Sequence, residues 1–283
     1  MRHSTLQVKR ARFVWMAFAT LMLATLACGF EGGAFGSTPV PVDTLPPGAQ
    51  GRSPGETPAP AAEPLELPES ILITAPLPGQ GVRGPIHIEG MSDPAFEQQL
   101  YVLVRDAQGT VIGTGHPLIE APAGQRGKFS ADVALPGYLP QQPGRVVVYA
   151  ISPRDGGIVH STSVGVQLNG TAQPSVTAID PSAVEAITIA EPQPGAQVHG
   201  TVKVSAWTML VPDIVVEVRD ANNETVGRLT LKLDQTKGLP APVMVDVPID
   251  VTSAQPGRVL VSAPHPGDGQ PEHLSSVEVN LNP

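Results

Sequence analysis

Residues Pro76–Gly84, with the sequence PLPGQGVRG, return as Pro192–Gly200, PQPGAQVHG, at a separation of 116 residues. Further segments return in the same order, at separations that fall only to 113 residues: Val104–Ala107 as Val218–Ala221, Pro143–Val146 as Pro256–Val259, and Asp155–Gly156 as Asp268–Gly269. Small loop deletions within a duplicated unit produce such a drift. The sequence therefore predicts two copies of one domain.

Both copies carry the pattern of strands that have one face in water. In Val164–Leu168, and again in Val277–Leu281, aliphatic residues alternate with small or polar ones. Pro-Gly and Asp-Gly pairs separate these runs, and the chain holds 32 prolines and 29 glycines but only 15% charged residues. We therefore expect an all-β fold of two tandem β-sandwiches, each copy having about the length of one sandwich domain.

The first 27 residues are typical of an export signal. Arg2, Lys9, Arg10 and Arg12 form a basic start, and the apolar run Phe13–Ala27 follows it. That run is too short for a comfortable membrane span. We expect the protein to be exported.

Cys28 is the only cysteine of the chain and directly follows this run. The segment Thr25–Gly29, TLACG, resembles a bacterial lipobox, in which the cysteine is acylated and becomes the new amino terminus. The resemblance implies an N-terminal acyl anchor on the outer side of the cell membrane. Thr25 and Leu26 depart from the family preference for Leu and then a small residue. Two alternatives therefore stay open, an ordinary signal peptide cut nearby and a retained N-terminal anchor helix.

Removal of the four cations of the leader changes the formal net charge from −9 to −13. An acidic chain without basic clusters is a poor partner for nucleic acid or for anionic lipid, so the membrane contact is expected to come from the acyl chains.

The predicted organisation is a signal peptide (1–27), a lipidated cysteine with a disordered Pro/Gly-rich tether (28–69), a first sandwich (70–168), a linker (169–185) and a second sandwich (186–283).

The repeated segments resemble a known family. Their order is Ile-x-Ile-x-x-Pro-x-Pro-Gly, Val-x-Gly, a strand ending in Val-Arg-Asp, Pro-Gly-x-Val-x-Val, and Asp-Gly before a closing Val-x-Val strand. This order looks like the bacterial spore-germination immunoglobulin-like domain, also described as a GerMN-associated domain. The second copy departs from it, with Val243 opposite Phe129 and Asn223 opposite Gly109. The resemblance implies an exported accessory module with an immunoglobulin-like sandwich fold, an undefined ligand and no enzymatic activity.

Three short motifs suggest chemistry but lie in the wrong context. Gly79–Gly84 fits the dinucleotide fingerprint, yet a strand follows it where a helix is needed. Ser53 fits a nucleophile elbow but lies in the predicted tether. Asp220–Glu224 offers alternating oxygen ligands without the calcium-loop frame and is typical of a hairpin turn. We predict no catalytic residue and no cofactor.

The histidines show no spacing of a metal site, so no metal ligand is predicted. We expect most of the histidines of the mature chain to be solvated: His87, His116, His160, His199, His265 and His273.

Candidate partner contacts are the most apolar segments outside the repeat pattern. Trp207, Met209 and Leu210 lie in one such segment, which we predict to be a loop, and Tyr138 lies in a second. The alternative for both is edge packing or a contact between the two domains. The sequence thus favours a non-enzymatic cell-envelope lipoprotein that acts as a binding or spacer module and has an unidentified envelope protein as partner. The alternative is a module that binds carbohydrate or peptidoglycan.

Overall fold

The computed structural model describes residues 66–210, 213–234 and 239–283. The predicted leader, Cys28 and nearly all of the predicted tether lie outside these residues. Among the residues described, no helix is long and apolar enough to cross a membrane.

The strands form two matching sets of eight. The first half contains β1 (Ile71–Ala75), β2 (Gly81–Val82), β3 (Ile86–Ser92), β4 (Tyr101–Arg105), β5 (Val111–Gly115), β6 (Gly127–Val133), β7 (Gln142–Ile151) and β8 (Ile158–Leu168), with a short 3₁₀ helix at Phe96–Gln98. The second half contains β9 (Ile187–Glu191), β10 (Gln197–His199), β11 (Thr201–Thr208), β12 (Asp213–Arg219), β13 (Thr225–Lys232), β14 (Ala241–Pro248), β15 (Gln255–Pro264) and β16 (Pro271–Asn282).

Each set packs as a sandwich around its own apolar core. In the first, the sheet β1-β3-β6 faces the strands β5-β4-β7-β8, and in the second, β9-β11-β14 faces β13-β12-β15-β16. Aliphatic residues of alternating positions, such as Ile86, Ile88 and Val202, Val204, point inward in each half. The all-β fold of two tandem sandwiches is therefore confirmed, and the period-two pattern of valines is its cause.

The two cores fill the same space with different side chains. In the first sandwich, Gly90 on β3 pairs with Phe129 on β6. A Cβ at Gly90 would lie 2.4 Å from the Phe129 ring, so only glycine fits beside that ring. In the second sandwich, Ala206 pairs with Val243 at the matching positions. The larger residue on one strand is thus offset by a smaller one opposite, which keeps the packing close in both copies.

The turn at Asp220–Glu224 is the hairpin turn that the sequence predicts. The backbone amides of Asn222 and Glu224 donate to Oδ1 of Asp220, each at 2.9 Å. Asn223 takes the left-handed conformation, with φ 63°, that Gly109 takes at φ 79° in the first copy. Asparagine tolerates this region better than most residues, which explains how the second copy dispenses with the glycine.

Candidate functional site at the junction of the two sandwiches

The two sandwiches meet through an antiparallel contact between β8 and β16. Ser161 pairs with Leu274, and these two residues occupy equivalent positions of the repeat. An antiparallel contact in which equivalent residues face each other has a local two-fold axis between them. The contact also joins the sheets of both halves into one path of eight strands, β13-β12-β15-β16-β8-β7-β4-β5.

A second contact of the same symmetry lies where each sandwich begins. Pro68 forms a bridge with Val184, again its equivalent in the repeat. On either side of this bridge the amide of Glu69 donates to the carbonyl of Ala183 at 2.9 Å, and the amide of Glu185 donates to the carbonyl of Leu67 at 2.8 Å. The last residues of the predicted tether and of the predicted linker therefore pair with each other.

The repeated Pro-Gly-Arg-Val and Asp-Gly motifs bind each other across the junction. Nη2 of Arg145 donates to both carboxylate oxygens of Asp268, at 3.1 and 2.9 Å. Nη2 of Arg258 donates in the same way to Asp155, at 2.8 and 3.0 Å. The Arg258 and Asp155 side chains are 0% and 4% exposed. Each copy thus supplies the arginine of one buried ion pair and the aspartate of the other.

Four titratable side chains converge beside the axis, two from each sandwich. They are Glu69, His160, Glu185 and His273, and their ligand atoms all lie within 4.8 Å of one another. Glu69 is equivalent to Glu185, and His160 to His273, so the group repeats the symmetry of the junction. The two imidazole rings meet edge to face, with their centroids 5.2 Å apart.

Hydrogen bonds hold one carboxylate of this cluster more tightly than the other. Oε1 of Glu185 lies 2.7 Å from Nε2 of His273 and accepts from the hydroxyl of Ser275 at 3.2 Å. Oε2 of Glu185 accepts the amide of Ser70 at 2.8 Å, and Oε2 of Glu69 accepts the amide of Ala186 at 3.0 Å. Oε1 of Glu69 lies 3.5 Å from Nδ1 of His273 and has no hydrogen-bond partner.

The pKa values of the cluster diverge for physical reasons. Burial raises the pKa of Glu69 to about 7 and lowers the pKa of His160 to about 4, because it penalises the charged form of each group. Burial would also raise the pKa of Glu185, but the hydrogen bond from His273 and the nearby imidazoles lower it to about 2. Burial would lower the pKa of His273, yet the hydrogen bond to Glu185 and the charge of Glu69 raise it. A neutral imidazole and a carboxylate are thus available in one buried group, and both can bind a cation.

The predicted contact residues lie apart from this cluster. Trp207 is part of β11, and the loop prediction for it is wrong: it pairs with Thr188 and Pro242 because β11 is flanked by β9 and β14. Leu210 packs against the second core, whereas Met209 is 43% exposed. Tyr138, between β6 and β7 of the first sandwich, is 89% exposed. Of the four predicted residues, the structure places Trp207, Met209 and Leu210 together and Tyr138 in the other sandwich.

Most of the histidines are exposed or partly exposed, as expected, and the exceptions are His160 and His273. His273 is buried and His160 nearly so, because both lie on the strands that join the sandwiches. Sequence motifs for metal sites are defined by the spacing of ligands within one segment, whereas these four residues lie in four separate segments of the chain. The repeat itself carried the signal, since Glu69 and His160 each have an identical residue at the equivalent position.

Comparison with protein families finds a match for part of the first sandwich. Residues 70–157 match the immunoglobulin-like domain of bacterial spore germination. The resemblance is confirmed for this part of the first sandwich, and for the second sandwich it stays a prediction. No curated protein matches the chain.

Solved structures with some similarity include several tandem immunoglobulin modules. The two V-type regions of VCBP3, a v-region-containing chitin binding protein, align over 75% of this chain and 100% of that chain, with 10% identity and a TM-score of 0.26. The Ig1-2 module of the Drosophila receptor tyrosine phosphatase DLAR aligns over 76% and 100%, with 12% identity and a TM-score of 0.21. Latent PorU from Porphyromonas gingivalis aligns over 75% of this chain and 34% of that chain, with 8% identity and a TM-score of 0.24.

The buried ion pairs predict a strong and pH-dependent effect of Asp155→Asn. Removing the charge of Asp155 leaves Glu278 as the remaining charged partner of the buried Arg258 guanidinium, so the free energy of unfolding in urea at pH 7 should fall by about 3 kcal/mol, at the low end of the loss for breaking a buried pair. Burial would raise the pKa of Asp155, but the hydrogen bonds from Arg258 and Arg154 hold it well below its ordinary value of 3.8. The contribution of this carboxylate is therefore present above about pH 4 and is lost below it.

The difference in the free energy of unfolding between the wild type and Asp155→Asn should accordingly become smaller as the pH falls from about 4 to 2. Asp132→Asn is the matched control, because the Asp132 side chain is 71% exposed and pairs with His87 at the surface. It should cost no more than about 1 kcal/mol. An equally small loss of stability for Asp155→Asn at pH 7 would contradict a stabilising buried ion pair between Asp155 and Arg258.

Proposed function

We propose that this protein is an exported, lipid-anchored and non-enzymatic module of the bacterial cell envelope, which binds a partner protein or spaces it from the membrane. The observation that carries the proposal is the junction. The two sandwiches share an eight-stranded path of sheet and two buried ion pairs, and such a joined pair suits a part that holds something at a fixed distance. The match of residues 70–157 to an immunoglobulin-like domain supports a role as a module.

The proposed contact surface is the outer face of the sheet β9-β11-β14. Met244, opposite Ser205, is 71% exposed, and Pro242, opposite Trp207, is also exposed. Trp207 lies half-buried on the same face, because the residues on either side of it along β11 point into the core. Aromatic and methionine side chains are enriched at protein interfaces, and an exposed tryptophan ring is also the platform that a sugar would use.

Site-specific crosslinking tests this surface. A photoreactive residue at Met244 in whole cells should give a discrete crosslinked protein, whereas the same residue at Thr230, exposed on β13 of the other sheet, should give none. Retention on purified peptidoglycan, lost on Trp207→Ala, would support the carbohydrate alternative. Equal crosslinking from both positions would contradict a contact through this face.

Metabolic labelling tests the anchor. Labelled palmitate should enter the wild-type protein and should be absent from Cys28→Ala, because no other thiol exists in the chain. The wild-type protein should fractionate with membranes, and the variant should be released from them. Equal labelling of both proteins would contradict lipidation at Cys28.

A further inference from the structure

We propose that Glu69, His160, Glu185 and His273 bind one divalent transition-metal ion of the zinc type between the two sandwiches. Two imidazole nitrogens and two carboxylate oxygens form a ligand set that suits zinc and related ions. The first sandwich and the residues that lead into it supply Glu69 and His160, and the second supplies Glu185 and His273.

Two unpaired atoms inside the cluster point to a ligand. Oε1 of Glu69 and Nε2 of His160 are buried and have no hydrogen-bond partner among the described residues; their nearest ionisable neighbours lie 3.5 and 3.8 Å away, and the Glu69 side chain is only 8% exposed. Buried polar atoms in proteins are nearly always paired, because an unpaired one loses its hydration without compensation. A cation held by these two atoms and by their symmetry mates would satisfy both at once.

The surrounding groups orient the proposed ligands as second-shell residues do. The amides of Ser70 and Ala186 hold one oxygen of each carboxylate. The other oxygen of Glu69 is left for the centre, whereas that of Glu185 lies 2.7 Å from Nε2 of His273, a contact that the ion would replace. The hydroxyl of Ser275 lies 3.5 Å from Nδ1 of His160, which directs Nε2 of that ring toward Glu185, 3.8 Å away. Metal-binding histidines are commonly fixed through their second nitrogen in this way.

The distances allow a metal ion after small side-chain movements. Four-coordinate zinc with bonds of roughly 2.0–2.2 Å requires ligand atoms about 3.3–3.5 Å apart. The ligand atoms of the cluster are spread over no more than 4.8 Å, so side-chain shifts on the order of 1 Å would close the site. His160 and Glu185 also line a surface cleft of about 370 Å³, which gives an ion a route to the cluster.

The full chain with Cys28→Ser, which removes the lone thiol, is the protein to test. After treatment with a chelator, titration with Co²⁺ should produce the visible absorption of tetrahedral cobalt and reach one ion per chain. Zn²⁺ should displace the cobalt. A hundredfold excess of Zn²⁺ over its Kd should raise the Tm by roughly 5–10 °C.

Two variants separate metal binding from a purely structural role. Glu69→Gln and His160→Gln each replace a ligand atom that makes no hydrogen bond, so both variants should fold. Both should bind Co²⁺ at least about 100-fold more weakly than the parent protein. His87→Gln is the matched control. His87 also lies beside two carboxylates, those of Glu89 and Asp132, but all three side chains are more than half exposed.

The control variant should bind Co²⁺ as the parent does. Absence of cobalt absorption together with absence of a Zn²⁺-dependent Tm shift would overturn the proposal and leave the cluster a hydrogen-bonded one only. Undiminished binding by Glu69→Gln and His160→Gln, or loss of binding in His87→Gln, would place the ion elsewhere and overturn it equally.

Discussion

The pairing of Ser161 with Leu274 is the contact on which the arrangement of the two sandwiches depends. Because these residues are equivalent in the repeat, the backbone bonds beside Pro68 and Val184 and the buried Arg–Asp pairs occur twice, with the roles of the copies exchanged. The same surface serves both partners, which is the arrangement that two separate copies would form as a symmetric dimer. The chain therefore carries within itself an isologous interface between its own halves.

This symmetry explains how the junction can bury so many charged groups. An isolated buried charge is costly, and a buried pair is tolerated only when its remaining hydrogen bonds are satisfied. A motif that places an arginine on one strand and an aspartate after it forms two such pairs when it is repeated about a two-fold axis, although Nη1 of Arg145 is buried without a hydrogen-bond partner among the described residues. Arg258 makes a further bond to Glu278 at 2.9 Å, which leaves its buried guanidinium paired on two sides. The Glu–His cluster has the same origin, since each half supplies one glutamate and one histidine.

Sequence reasoning predicted the parts of the fold that depend on local pattern. The repeat, the alternating valines and the Asp-Gly turns predict strands and sandwiches, because a strand with one wet face leaves its period in the sequence. The match of residues 70–157 to an immunoglobulin-like domain agrees with the resemblance found in the first copy. The sequence predicts a loop at Trp207 because its apolar segment lacks a counterpart in the first copy, whereas pairing on both sides of β11 extends the strand through Thr208.

The candidate site cannot be predicted from local sequence pattern, because its residues come together only at the contact between the two sandwiches. Glu69 and Glu185 lie at the ends of segments whose composition predicts a tether and a linker, and the pairing of these two segments with each other holds both residues at the junction. His160 and His273 carry no local sign of burial, since what buries them is the opposite sandwich. The alternation of apolar and polar residues indicates which face of a strand packs into its own core, but it does not indicate which residues contact another domain. A residue-by-residue comparison of the two copies would have exposed both pairs.

The central claim, that the two halves form one body through this interface, can be measured as a distance. Spin labels at Thr114 on β5 and Thr230 on β13, in a Cys28→Ser background, mark the two outer strands of the eight-stranded path, and both positions are exposed. Seven strand spacings of about 4.8 Å set their separation near 34 Å, before the twist of the sheet and the label arms are considered. Pulsed electron paramagnetic resonance should then give a single narrow distribution at roughly 30–40 Å. A broad or multiple distribution would contradict the account, because sandwiches joined only by a flexible linker would sample many separations.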